Sequence, residues 1–203
     1  MADEAVSENA VLTAPSTISE YYFTYGTLKK GMINHGTMAQ TSAEFHSVCT
    51  TVEKFPLLVP DKPWCPNMSC PWLHRMAALD YQPGQGQNVK GEVYKITDGD
   101  IFTFDRLEGF NQDDPENPGQ KKEDAYERRI VHIVTSSGEK LASWCYFMLN
   151  PNIINPLREM ATKHQATAVE DYTKEMAEGG KMPKSPLPDG WELDESGIPQ
   201  RSK

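Results

Sequence analysis

Two short stretches of this chain combine residue types that could do chemistry. One is Phe104-Asp105-Arg106-Leu107-Glu108-Gly109-Phe110, where a carboxylate sits among apolar neighbours directly before a glycine. If Gly109 closes a helix, Glu108 lies in its last turn, where unpaired carbonyls carry partial negative charge and disfavour a carboxylate. Apolar flanks would desolvate Glu108, and Asp105, one turn back, would repel it; both effects raise a carboxylate's pKa. A carboxyl group that titrates near neutrality can take and return a proton. A solvated surface glutamate is the competing reading, and nothing local decides between the two.

The other stretch is Tyr21-Tyr22-Phe23-Thr24-Tyr25-Gly26-Thr27-Leu28, a strand-like aromatic run that stops at a glycine. A strand that leaves its ladder through a Gly-containing turn exposes consecutive backbone N–H groups, and glycine lets a ligand approach them closely. Such groups suit an anion or an oxyanion. Taken alone, a Tyr-Gly-Thr sequence is more often an ordinary strand exit.

The elements that must position these residues form an α+β pattern. Short apolar segments predict strands at Tyr21–Tyr25, Phe45–Val52, Leu57–Val59, Val89–Ile96, Arg128–Thr135 and Leu141–Leu149. Ile101, Phe104 and Leu107 recur at helical spacing, with a cap candidate at Thr97 or Asp98 and a stop at Gly109. A second helix is expected from about Pro156 to Glu178, ended by Gly179-Gly180. Residues 1–18 read as a flexible extension, 19–180 as one domain including that C-terminal helix, and 181–203 as a Pro/Gly-rich tail.

Composition narrows the function classes. A chain of 203 residues with formal net charge −9 lacks the concentrated basic face that nucleic acid requires. No apolar run approaches membrane-spanning length, and the first twenty residues are acidic where a signal peptide is basic and apolar. Four scattered cysteines fit reduced thiols rather than a disulfide scaffold, so a cytoplasmic protein is expected. Cys65, Cys70 and His74 lack the spacing of a zinc site, and no cofactor or metal is expected.

The ordered motifs carry a resemblance. Tyr25-Gly26-Thr27-Leu28-Lys29, Asn34-His35, Phe55-Pro56-Leu57, Pro71-Trp72-Leu73, Gly91-Glu92-Val93-Tyr94, Leu107-Glu108, Tyr126-x-Arg128 and Cys145-Tyr146-Phe147 follow one another in the order of a known family. Together they resemble the γ-glutamylcyclotransferase (AIG2-like) family, on its γ-glutamylamine cyclotransferase branch. The resemblance implies a mixed β-barrel flanked by helices. It also implies cyclisation of a γ-glutamyl amine, such as γ-glutamyl-ε-lysine, to 5-oxoproline with release of the free amine. It places substrate binding on Tyr25, Gly26, Thr27 and Leu28, acid/base catalysis on Glu108 and a positioning role on Tyr126. Arg128, two residues along the same strand, pairs with an acidic group of either the protein or the substrate.

Two points depart from the family pattern or stay open. The link between Gly109 and Tyr126 is long and polar, and from Asp105 to Glu127 the sequence holds eight acids and three bases. If that segment lines the entrance it favours a cationic leaving portion; if not, it is a solvated loop. The alternative to an enzyme is a non-catalytic AIG2-like ligand-binding or interaction module.

Overall fold

The computed structural model describes residues 19–61, 77–97, 99–110, 126–178, 191–193 and 199–201. In chain order these form β1 (Tyr21–Thr24), a 3-10 helix (His35–Gln40), β2 (Glu44–Phe55), β3 (Leu57–Pro60), β4 (Ala78–Leu79), β5 (Gln87–Lys95) and α1 (Asp100–Glu108). There follow β6 (Tyr126–Thr135), β7 (Lys140–Met148), α2 (Pro151–Thr162), β8 (Ala166–Val169), α3 (Lys174–Glu178), β9 (Trp191–Leu193) and β10 (Pro199–Arg201). The six expected strands and the helix before Gly109 are all present. Cys65, Cys70, His74 and the Pro71-Trp72-Leu73 motif lie outside the described residues, as do residues 1–18 and 111–125.

Five strands close into a barrel in the order β1-β5-β2-β6-β7, shut by a parallel contact of Tyr22 with Trp144. Alternation along the strands sorts side chains into two layers. Phe23, Val93, Cys145 and Phe147 join one core cluster, while their neighbours Tyr22, Tyr94 and Tyr146 join another with Ile101 and Phe104 of α1. Helix α1 therefore packs across the β1/β7 closure: the Phe104 ring stacks on Tyr22 at 4.4 Å, and Tyr22 meets Tyr146 edge-on at 5.8 Å. Gly91 of β5 is required by this packing, because a Cβ there would strike the Thr24 carbonyl oxygen and the Phe23 ring.

The C-terminal region corrects one expectation. A single helix from Pro156 to Glu178 does not form; α2 begins earlier and ends at Thr162, and a strand separates it from α3. At its start the Asn150 side chain accepts the Asn152 N–H at 3.0 Å, with Pro151 in the first helical turn, a capping signal that Asn-Pro carries in the sequence. At its end His164 takes φ 55°, in the left-handed region, and turns the chain back. Ala166–Val169 then pairs antiparallel with β3, which gives a second sheet in the order β4-β3-β8. The tail contains the β9–β10 pair.

Candidate active site

The end of α1 is built as its sequence suggests. Gly109 adopts φ 68°, ψ 27°, the left-handed conformation that glycine takes without penalty. Its N–H and that of Phe110 both donate to the Asp105 carbonyl, the latter at 2.9 Å. The start of the helix differs from expectation. The Thr97 side chain does not cap it; Asp100 instead accepts the Thr97 N–H at 2.8 Å and the Ser42 hydroxyl at 2.6 Å. Asp98 lies outside the described residues.

Glu108 occupies the last turn of α1 and is partly buried. Burial of its carboxyl pushes the pKa up to about 7. The like-charge contribution expected from Asp105 is absent as a cause. The Asp105 carboxylate is engaged elsewhere, accepting the Tyr146 hydroxyl at 2.5 Å and Arg128 Nη1 at 3.0 Å. Arg128 also lies 4.6 Å from the Trp144 ring and 5.4 Å from the Phe110 ring. Of the two partners left open for Arg128, the structure shows the protein's own carboxylate.

The charge of Glu108 acts on Tyr22, Tyr25, Tyr126 and Cys145. Burial raises each of these phenols and the thiol first, and the Glu108 charge adds to it, so none ionises near neutrality. Three of the sequence-derived site residues, Tyr25, Glu108 and Tyr126, are thus electrostatically linked. Tyr22 and Cys145 were not among them. Tyr22 carried a signal, since it belongs to the same aromatic run as Tyr25, but which face of the strand meets α1 is not visible without the register.

The turn after β1 is held from both ends. Tyr25 is buried in the barrel core and donates its hydroxyl to the Tyr146 carbonyl at 2.9 Å; Leu28 is buried in the cluster beneath α1. Asn34 donates its N–H to the Thr27 carbonyl at 3.0 Å and its side-chain amide to Thr27 Oγ1 at 2.9 Å. His35 Nδ1 lies 3.0 Å from the Leu28 carbonyl. A carbonyl only accepts, so Nδ1 carries the proton. Glu92 steadies the following loop by accepting the Lys30 N–H at 2.8 Å and the Tyr94 hydroxyl at 2.7 Å. Among the described residues, the N–H groups of Gly26, Thr27 and Leu28 donate to no acceptor. Gly26 has neither a positive φ nor a neighbour within 4 Å of where a Cβ would stand. Among the described residues nothing crowds the position of a Cβ at Gly26.

A cleft of about 710 Å³ begins just beyond this turn, lined in part by Lys29, Lys30, Glu92, Asp171 and Tyr172. Glu108, Tyr126 and residues 25–28 do not line this cleft. They are linked to it by the turn itself, in which Lys29 N–H donates to the Gly26 carbonyl at 3.2 Å, and by Tyr172, whose phenol acts on Tyr126. Among the described residues there is no cluster of three or more metal-ligating side chains, and no helix is long and apolar enough to cross a membrane.

Comparison with known proteins follows the same lines. Residues 22–173 match the family described as gamma-glutamyl cyclotransferase, AIG2-like. The chain is 34% identical over 94 residues to a putative gamma-glutamylcyclotransferase of Arabidopsis thaliana, covering 44% of each protein. It is 35% identical over 92 residues to the gamma-glutamylaminecyclotransferase of Rattus norvegicus, covering 44% of this chain and 54% of that one. The matched region thus spans about half the length of these curated relatives. The crystal structure of an AIG2-like protein from Mus musculus superposes with TM-score 0.54 at 23% identity, over 76% of this chain and 88% of that one, a likeness of fold.

Proposed function

The chain belongs to the gamma-glutamyl cyclotransferase, AIG2-like family, and from that premise we propose that it converts a γ-glutamyl amine, such as γ-glutamyl-ε-lysine, to 5-oxoproline and the free amine. The observation that carries this reading is the pairing of a carboxyl group poised at about 7 with a turn that offers three unengaged N–H groups. The α-amine of the γ-glutamyl group attacks its own γ-carbonyl, the carbonyl oxygen becomes an oxyanion, and the bond to the leaving nitrogen breaks. Because nucleophile and electrophile share one molecule, holding the substrate folded supplies most of the orientation. Glu108 accepts the proton of the attacking amine and returns it to the departing nitrogen, a role that contributes ~10²–10⁴-fold in rate. The turn N–H groups receive the oxyanion, with an effect of comparable size. Tyr126, on which the Glu108 charge acts, orients the carboxyl or the substrate. The leaving portion extends over Lys29 toward the cleft. Asp105 and Glu127, two of the acids that suggested a cationic leaving group, are engaged with Arg128 and Arg129. A non-catalytic binding module has no use for a carboxyl raised toward neutrality, and the enzyme reading is preferred for that reason.

The test is 5-oxoproline release, read by mass spectrometry, from γ-glutamyl-ε-lysine, γ-glutamyl-alanine and glutathione, with Glu108→Gln protein as control. Release that the control lacks supports the assignment; silence on all three substrates sinks it in favour of the binding module. A second variant probes the turn. Gly26→Ala is expected to change stability by less than about 0.5 kcal/mol, because nothing crowds the added methyl. Its kcat/KM is expected to fall by ~10²-fold, the scale of a small misplacement at the reacting centre. Unchanged kinetics would remove the turn from the site.

A further inference from the structure

We propose that Arg128 is a positioning residue for Glu108: from β6 it grips the last turn of α1 through the Asp105 carboxylate and keeps the Glu108 carboxyl in its partly buried place. The inference rests on Glu108 being the acid/base of the reaction proposed above. Asp105 and Glu108 stand three apart on one helical face, while Tyr126 and Arg128 stand two apart on one face of a strand. These spacings are nearly commensurate, roughly 5–6 Å on the helix and roughly 6.5–7 Å on the strand. Asp105 consequently meets Arg128 at 3.0 Å while Glu108 acts on Tyr126. The Tyr-x-Arg spacing in β6 is thus the counterpart of the Asp-x-x-Glu spacing in α1.

The grip is built at several levels. Asp105 and Arg128 side chains are 6% and 11% exposed. Tyr146 of β7 holds the second Asp105 oxygen. The Asp105 carbonyl receives the N–H groups of Gly109 and Phe110, so the residue that Arg128 holds is also the one that closes the helix. Arg128 packs against the ring of Phe110 just beyond the closure and against Trp144 of β7. A nine-residue helix has little stability of its own, and its last turn frays first without such an anchor. The titratable groups on which the Glu108 charge acts are Tyr22 and Tyr25 from β1 and its turn, Tyr126 from β6 and Cys145 from β7. All are neutral near pH 7, so the carboxyl is kept protonation-ready by burial, and only while the helix end stays seated. On its own helix the neighbouring charges are Asp105, paired as described, and exposed Arg106.

The sign of a pKa change separates this role from simple electrostatics. Taking a cation away raises a carboxyl pKa through space; letting the helix end swing into water lowers it. The measurement is NMR titration of the Glu108 side-chain carboxyl in wild type, Arg128→Met, Arg128→Lys and Tyr146→Phe, assigned against Glu108→Gln, with kcat and KM followed over pH. From about 7 in wild type, the midpoint is expected to fall by about one unit or more in Arg128→Met, by less in Tyr146→Phe, and to recover in part in Arg128→Lys. The rising limb of kcat should move with it, while KM changes little. A midpoint that stays, or moves upward, overturns the proposal. Should Arg128→Met fail to fold, Tyr146→Phe decides: no downward shift overturns it. Because the titration is read without turnover, it stands apart from the reaction assignment, which fails instead if the kcat limb persists in Glu108→Gln.

Discussion

Glu108→Gln protein is expected to lose ~10²–10⁴-fold of the cyclising rate and, in the same molecule, to become less sensitive to rising pH than its parent. The Glu108 carboxyl titrates at about 7 in the fold against 4.5 unperturbed. Below 4.5 both the folded and the unfolded chain hold the proton; between 4.5 and about 7 only the folded chain does; above that neither does. The unfolded state therefore binds fewer protons across that window, and stability falls as pH rises through it. At ~1.4 kcal/mol per pKa unit the fall amounts to about 3 kcal/mol. Glutamine, neutral throughout, has no such slope. Urea unfolding of both proteins at pH 5 and pH 8 measures the difference, after the slopes from other groups cancel between them. Parallel stability curves would show that Glu108 is not held out of water, and the catalytic argument would go with it.

The second large effect concerns the scaffold. Asp80 is fully buried, and its carboxylate takes two parallel bonds from Arg158 of α2, Nε to Oδ2 at 2.8 Å and Nη2 to Oδ1 at 2.8 Å. Gln82 adds a third at 2.6 Å. Removing one partner of such a pair leaves a buried charge uncompensated, which costs about 3–5 kcal/mol in comparable cases. Arg158 is 41% exposed, so water relieves part of the loss, and Arg158→Ala is expected to destabilise the fold by about 3 kcal/mol. Chemical denaturation reads it directly. A loss under about 1 kcal/mol would mean that Gln82 and water suffice for Asp80.

Much of this architecture could be read before any coordinates, and the reasons differ by element. The strands of the barrel announce themselves by alternation and by their aromatic and β-branched residues, as in Tyr21–Thr24 and Tyr126–Thr135. Gly109 marks the end of α1 because few other residues take its conformation. Glu108 was legible as a carboxyl in an unfavourable place; burial is what raises it, and the pairing of Asp105 with Arg128, 23 residues away across the fold, was not legible. The region after α2 was misread for a related reason. Ala166-Thr167-Ala168-Val169 is compatible with a helix, and the β3 edge that claims it is set by pairing with residues more than a hundred positions earlier. Local propensity carries no record of such partners.

The turn shows both kinds of information at once. Its glycine was legible, but the anchoring of Tyr25 on Tyr146 and of Thr27 and Leu28 on Asn34 and His35 is a matter of tertiary contact. The meaning of Gly26 appears only when nothing among the described residues is seen to crowd its Cβ position.

The way the barrel closes also orders events in time. Its first and last strands meet through Tyr22 and Trp144, and α1 lies over that junction through Phe104 and its neighbours. A chain growing from its N-terminus carries the turn and Glu108 well before β7 exists. Part of the surface on which α1 rests, and the Tyr146 groups that hold both Tyr25 and Asp105, arrive only with that last strand. Loop closure over so long a separation is the slow part of forming such topologies. The proposed constellation is therefore a late product of folding, completed by the same stroke that shuts the barrel, and a half-made chain bears the residues without their arrangement.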